Sequence, residues 1–301
     1  MILIDFSAIS VAAIAQELYR MPANSSIDDG YIRHLVINSL RSYRQKYHRQ
    51  YGEIVICCDA KRYWRKDFFP EYKFNRKKMK EDSKVDWDVI HRGVDLVRND
   101  LKEFFPYPVV MVDGAEGDDV IYTIIEWAQE NDLQTTGMWE GTPKPHLIVS
   151  SDEDQIQTQR FPLVKQFSPN KKTFINSGDL NIEQFVNLHI AEGDDGDSIP
   201  NTLSQNDSFS NKIRQKSLRK DRKEEFITKG ISACRDKDEE TFYKRNQKLI
   251  DFRFIPVELK SSILSEFKEQ KEKCDFRGRK RIMSYFIKNK MRAMIDFLSE
   301  F

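Results

Sequence analysis

The residues of this chain that could do chemistry are carboxylates in a spaced series: Asp5, Asp59, Glu116-Gly117-Asp118-Asp119, Asp152-Glu153-Asp154 and Gly193-Asp194-Asp195-Gly196-Asp197. Asp5 directly follows the apolar run Ile2-Leu3-Ile4 and Asp59 the run Ile54-Val55-Ile56-Cys57-Cys58, Asp152 follows Leu147-Ile148-Val149 across Ser150-Ser151, and Val109-Val110-Met111-Val112 runs on to Asp113. Such runs, bounded by turn residues, read as buried strands. Ligands of a parallel sheet bind at the carboxyl ends of its strands, so these acids would converge on one crevice. Two like charges about 4 Å apart repel by about 4 kcal/mol at an effective dielectric of about 20, so a crowd of carboxylates there needs cations. Oxygen-only donors favour Mg²⁺ or Mn²⁺ over zinc, and more acids than one octahedron holds suggest two ions and phosphoryl chemistry. A single strand-end aspartate more often caps a helix or turn; the argument for metal rests on the set.

Directly after Asp59 comes a basic, aromatic stretch from Lys61 to Lys84, in which Tyr63, Trp64, Phe68, Phe69, Tyr72 and Phe74 alternate with lysines and arginines. A charge run is usually a solvated surface. This one is tethered to the rim of the acidic crevice, where its cations can draw phosphates in and its rings can stack unpaired bases at about 1–3 kcal/mol each. Two further basic clusters, Lys212 to Lys223 (KIRQKSLRKDRK) and Arg277 to Arg281 (RGRKR), give a duplex three positive stations.

The elements needed to position these groups alternate. Ser7 is a candidate cap for a short helix after the first strand, and a longer helix from about Asp28 carries Val36, Leu40, Tyr43 and Tyr47 at helical spacing. A helix from about Val85 to Phe105 precedes the third strand, and another from Asp118 to Asn131 turns Ile121, Ile124, Ile125 and Ala128 inward, with acids in its favoured first turn. Thr135 to Pro145 reads as a loop, and Val164 to Phe167 with Thr173 to Ile175 as a strand pair. From about residue 180 the remainder reads as helical. The expected fold is therefore α/β, a mostly parallel sheet flanked by helices over 1–179, with a basic arch at 61–84 and a helical duplex-binding domain over 180–301.

Composition narrows the classes. The 301 residues carry 49 Lys and Arg against 48 Asp and Glu, so the near-neutral balance conceals strongly segregated charge. Cys57, Cys58, Cys234 and Cys274 have neither CxxC spacing nor a disulfide framework, which argues for a reducing cytoplasm and against structural zinc. No apolar run approaches membrane-spanning length and the first strand begins at once, so a soluble protein without a leader is expected. A haloacid dehalogenase-like phosphatase would need an acid where Ser7 stands, and neither Asp152 nor Asp194 opens a calcium loop.

The acidic series, together with LIDFS at the start, YWRKDF followed by EYKFNR, SSDEDQIQ, QFSPNKK and RIMSYFIK, resembles the 5′ nuclease family, which includes flap endonucleases and the 5′ nuclease domain of bacterial DNA polymerase I, and within it the phage branch. The resemblance spans nearly the whole chain. It implies an α/β core of PIN-like type and a Mg²⁺-dependent 5′ to 3′ exonuclease and flap endonuclease. The activity would include ribonuclease H, on RNA/DNA and DNA/DNA duplexes and 5′ flaps, removing RNA primers from lagging-strand fragments in phage DNA replication. It implies Asp5, Asp59, Glu116, Asp118 and Asp152 as ligands of a first Mg²⁺ and Asp154, Asp194 and Asp197 as the second set, with Mn²⁺ as a substitute. Asp119 stands between a ligand and a helix cap, and Asp113 matches no family ligand. Asp118, Lys73 and Arg76 fall at catalytic positions; Arg65, Tyr72, Lys73 and Arg76 fall where the arch binds phosphate or stacks bases. Lys212, Arg214, Lys216, Arg219 and Lys220 are the expected duplex grip. Family members follow the second acidic pair with a glycine-rich helix-hairpin-helix turn that binds a duplex phosphate and holds K⁺. This chain reads Asp197-Ser198-Ile199-Pro200-Asn201-Thr202-Leu203-Ser204, with no glycine there. A monomer in the host cytoplasm, with single-strand-binding protein and a sliding clamp as partners, completes these expectations. The alternative is a non-catalytic structure-specific DNA-binding protein.

Overall fold

The computed structural model describes residues 1–21, 27–76, 86–138, 140–274 and 278–301. Its centre is a six-stranded sheet in the order β3-β2-β1-β4-β5-β6, with β1 Ile2–Asp5, β2 Ile54–Cys57, β3 Val109–Val110, β4 His146–Val149, β5 Val164–Ser168 and β6 Thr173–Ile175. The first five are mutually parallel and β6 runs antiparallel to β5. Strands β1, β2 and β4 are buried throughout, which is why they read as unbroken apolar runs rather than alternating ones.

Alternate side chains feed two cores. Ile2 and Ile4 join Val36, Leu40, Val97 and Leu101 under the helices Asp29–Tyr51 and Trp87–Phe104. Leu3, Val55 and Ile148 meet Ile121, Ile124 and Ile125 of the helix Gly117–Asn131 on the opposite face. That helix buries the inward set expected of it, with Ala128 included.

Two local expectations are corrected. The first helix, Phe6–Arg20, is 15 residues long and is capped by Asp5, whose Oδ1 accepts from the Ala8 amide at 3.0 Å, rather than by Ser7. The third strand stops at Val110, because Gly114, at φ +87°, and the Ala115 amide bonding back to Val112 turn the chain away; Asp113 is left exposed and off the sheet. Beyond residue 180 the chain is helical but is not one packing unit. The helices Ile182–Glu192, Lys220–Lys229 and Lys237–Ile250 enclose their own core. The helix Val257–Cys274 returns Ile263 and Phe267 to one face of the sheet, and Arg279–Lys288 returns Ile282, Tyr285 and Phe286 to the other. The expected split at 179/180 thus follows the pattern of elements but not the division of the core.

Candidate active site

The carboxyl ends of β1, β2 and β4 bring four expected ligands together. β1 lies level with β2 and β4, so Asp5 ends β1 beside Cys57, and Asp59 and Asp152 follow their strands by two or three residues. Asp118 enters from the first turn of the helix Gly117–Asn131. Gly117 fixes the approach: its amide donates to Asp59 Oδ1 at 2.7 Å, and a Cβ there would lie 3.4 Å from Asp59 Oδ1 and 3.9 Å from Asp5 Oδ1. Asp5 Oδ2 accepts from Ser150 Oγ at 2.8 Å, and Asp118 Oδ1 from Gln155 Nε2 at 2.9 Å. These bonds aim the carboxylates but do not neutralise them. Among the described residues no lysine, arginine or histidine forms an ion pair with Asp5, Asp59, Asp118 or Asp152.

The electrostatic consequence is large. Burial, then Asp59, pushes the Asp5 carboxyl up to about 6. Burial, then Asp154, pushes Asp152 up to about 8. Burial, then Asp152 and Asp5, holds Asp118 well above the usual carboxylate range. The donor set is all oxygen and under-neutralised, which fits a hard divalent cation.

A second group of acids lies against the basic stretch and is matched by it. The helix Trp64–Phe68 and the turn after it belong to the base of the expected arch; residues 77–84 of that stretch, and Val85, lie outside the described residues. Arg65 is only 3% exposed. Its Nη1 donates to Glu116 Oε2 at 2.9 Å and to Asp119 Oδ2 at 3.0 Å, Nη2 lies 2.8 Å from Asp119 Oδ1, and Nε donates to the Leu249 carbonyl at 2.7 Å. The Tyr72 hydroxyl sits between Glu116 Oε2 at 2.9 Å and Asp197 Oδ2 at 2.8 Å, able to donate to one at a time. Lys73 Nζ pairs with Glu116, and Arg76 Nη2 with Asp197. Lys73 and Arg65 outweigh burial and hold Glu116 below its usual range, while the same acid, with Asp197, outweighs burial to hold the Lys73 ammonium charged.

Two sequence expectations change here. Arg65 and Tyr72 are inward-facing in this structure and present neither a phosphate cation nor a stacking face, because Phe69 and Tyr72 belong to the core of the helical module. Phe68 is 42% exposed, with the Lys248 ammonium 4.0 Å from its ring centroid. Asp119 is fully buried and accepts from the Glu116 amide at 3.0 Å, closing a capping box on its helix, and from Trp64 Nε1 at 3.2 Å. It takes the cap role.

The remaining acids meet a residue that the sequence reading missed. His189 Nε2, on the helix Ile182–Glu192, lies 2.7 Å from Asp154 Oδ1, and ligand atoms of Asp154, His189 and Asp194 all fall within 4.8 Å of one another. His189 outweighs burial to lower the Asp154 carboxyl, and Asp154 likewise raises His189 to about 9. Asp194 is raised, by burial first and then by Asp154 and Asp197. The signal for His189 was its place on the helix that leads straight into Gly193-Asp194. Gly193 is required there, at φ +71°, since a Cβ would come within 2.3 Å of the Ile199 carbonyl. Asp197, by contrast, faces the arch base.

Lys212, Arg214, Lys216, Arg219 and Lys220 are all exposed, and among the described residues only Lys220 has an acidic neighbour, Glu224 at 4.0 Å. The third basic cluster is partly outside the described residues, at Arg277. Lys280 and Arg281 are exposed on a helix packed on the α/β core. No helix among the described residues is long and apolar enough to cross a membrane.

Comparison with known proteins places these features in a family. Residues 2–187 match the model described as 5′-3′ exonuclease, N-terminal resolvase-like domain, and residues 181–301 match that described as T4 RNase H, C terminal. The ribonuclease H of Enterobacteria phage T4 is 30% identical over 311 aligned residues, which span 99% of this chain and 95% of that protein. In structure the chain resembles the T5 D15 protein co-crystallized with metal ions, at a TM-score of 0.64 and 15% identity over 90% of this chain and 98% of that one. It also resembles a T5 D15 flap endonuclease in a pseudo-enzyme-product complex with DNA and metal ions, at a TM-score of 0.61 and 16% identity over 90% and 98%. At these identities the structural likeness speaks for the fold.

Proposed function

The chain belongs to the 5′-3′ exonuclease family, and on that footing we propose that it is a divalent-metal-dependent 5′ to 3′ nuclease cutting the 5′ strand of RNA/DNA and DNA/DNA duplexes and of 5′ flaps. The observation that carries this reading is the contrast at the sheet edge: Asp5, Asp59, Asp118 and Asp152 converge with no ion-pair partner among the described residues, while Lys73 and Arg76 stand beside them on Glu116 and Asp197. In this reading Asp5, Asp59, Asp118 and Asp152, with Glu116, hold a first Mg²⁺. Asp154, Asp194 and Asp197 hold a second, and His189 lies within reach of that set. The chemistry such ions would supply when bound is acidification of the attacking water and neutralisation of charge building on the phosphate.

The protein's own groups do the positioning. Ser150, Gln155 and the Gly117 amide keep the carboxylates aimed before substrate arrives, which limits reorganisation during the reaction. Lys73 and Arg76 exchange Glu116 and Asp197 for the scissile phosphate and stabilise its added charge. Lys212, Arg214, Lys216, Arg219 and Lys220 bind backbone phosphates downstream, fixing register without reading sequence. Removal of RNA primers from lagging-strand fragments, alongside single-strand-binding protein and a sliding clamp, is the replication role that this substrate range suits. The test uses a 5′-labelled and a 3′-labelled flap duplex and a matching RNA/DNA hybrid, with Mg²⁺ or with EDTA. Metal-dependent release of short 5′ products is expected; tight binding with no cleavage in Mg²⁺ would leave a DNA-binding protein instead.

A further inference from the structure

The loop after the second acidic pair is organised around one buried cation. Arg245, on the helix Lys237–Ile250, is 6% exposed and pairs with no carboxylate among the described residues. Its Nη2 donates to the carbonyls of Pro200 at 2.7 Å and Asn201 at 3.3 Å. Nη1 donates to the Ser204 carbonyl at 3.2 Å and to Asn206 Oδ1 at 2.7 Å, and Nε to Asn246 Oδ1 at 2.8 Å. Asn246 Nδ2 adds a second bond to Pro200 O at 2.8 Å. Four oxygens of residues 200–206 therefore converge on one guanidinium. A buried charge without a counter-charge is costly, and burial lowers Arg245 to about 10. What offsets the cost is that these inward carbonyls would otherwise be buried without donors.

The same loop is tied to the basic run. Asn201 N donates to Gln215 Oε1 at 2.8 Å, Asn201 Nδ2 to the Lys216 carbonyl at 2.8 Å, and Lys216 N to Ser204 Oγ at 2.9 Å. On its other side the Asp194 and Ile199 backbones bond to each other at 2.8 and 2.7 Å. Arg245 thus holds the segment that links the acids Asp194 and Asp197 to the exposed cations Lys212, Arg214 and Lys216. K⁺, which the family resemblance puts in a glycine turn at this point, does not fit here: the carbonyls that face inward already accept from the guanidinium.

We propose that Arg245 is a built-in cation for this loop, a positioning residue that stands where a monovalent ion would otherwise be needed and makes the duplex grip of this chain indifferent to K⁺. The inference rests on the reading of Lys212 to Lys220 as duplex-binding. Anisotropy titration of a labelled flap duplex with the full chain in EDTA, in KCl and in NaCl at matched ionic strength, tests both. Equal affinity in the two salts is expected; affinity several-fold tighter in KCl overturns the inference, whereas no duplex binding in either salt overturns the underlying reading. Arg245→Ala, checked for folding by circular dichroism, is expected to bind roughly ten-fold more weakly in NaCl, with Arg245→Lys recovering most of the loss. Arg245→Ala binding like the wild type also overturns the inference. Should Arg245→Ala not fold, the salt comparison on the wild type and on Arg245→Lys still decides.

Discussion

Asp118 and Asp119 are neighbours in the chain and opposites in the fold. Asp118 turns to the sheet edge, where it meets Asp5, Asp59 and Asp152 with Gln155 as its one side-chain donor among the described residues, and its carboxyl is driven up by burial and by its acidic neighbours. Asp119 turns the other way, into a pocket where Arg65, Trp64 and the Glu116 amide all donate to it. Both regions are rich in buried acid. The difference lies in where the compensating charge comes from: the arch base supplies its own through Arg65, Lys73 and Arg76, and the sheet edge leaves it to come from outside. Acidic density alone therefore does not separate the two regions; the presence or absence of an internal cation does.

The contrast can be broken by substitution. Asp118→Asn is expected to slow single-turnover cleavage by about a thousand-fold or more, the worth of several kcal/mol of charge stabilisation, while duplex binding stays level or tightens as repulsion falls. Near-normal cleavage would remove the sheet edge as the reactive centre. On the other side, Arg65→Met strips the cation from two buried carboxylates, and the expected loss is about 3 kcal/mol of stability, read as a fall in denaturation midpoint. If Arg65 were a phosphate contact instead, stability would hold and binding would weaken.

Lys73→Ala sits between the two regions. Its expected effect is about 100-fold on single-turnover rate, with a smaller loss in binding, because the ammonium acts on charge that grows during reaction. Equal losses in rate and affinity would reduce it to simple phosphate attraction.

The smallest effect expected is on stability against pH. Asp5 at about 6 and Asp152 at about 8 lie above their unfolded values, so the native state without metal binds protons more tightly than the unfolded one. Stability from these groups is present at acidic pH and lost as pH rises through about 6 and then about 8. Melting temperature in EDTA should fall across that window, and saturating Mg²⁺ should flatten the fall. A profile that is flat in EDTA would contradict the lack of compensation.

How much of this was legible in the residues depended on locality. β1, β2 and β4 were readable because strands buried on both faces are continuous apolar runs, and the helix Gly117–Asn131 because its period is strong and its acids sit in the first turn. The third strand was overread: Met111 and Val112 are apolar, but Gly114 sends the chain off the sheet. The arch base was read as open because its sequence is basic. Which face of Trp64–Phe68 turned inward depended on acids some fifty residues away in sequence, Glu116 and Asp119, and on the carbonyl of Leu249. His189 was invisible for a related reason, since its meeting with Asp154 is set by packing of the helix Ile182–Glu192 against the 3₁₀ segment after β4. Long-range pairing of charge is what a single sequence conveys least.

The most direct test is calorimetric titration of Mg²⁺ into the metal-free protein, its Asp118→Asn variant and its Asp119→Asn variant, at a pH where all remain folded. The account predicts that Asp118→Asn loses the tight binding event of the wild type, while Asp119→Asn keeps it and shows a lowered melting temperature instead. Binding that survives in Asp118→Asn and disappears in Asp119→Asn would place the metal at the arch base and contradict the division drawn here.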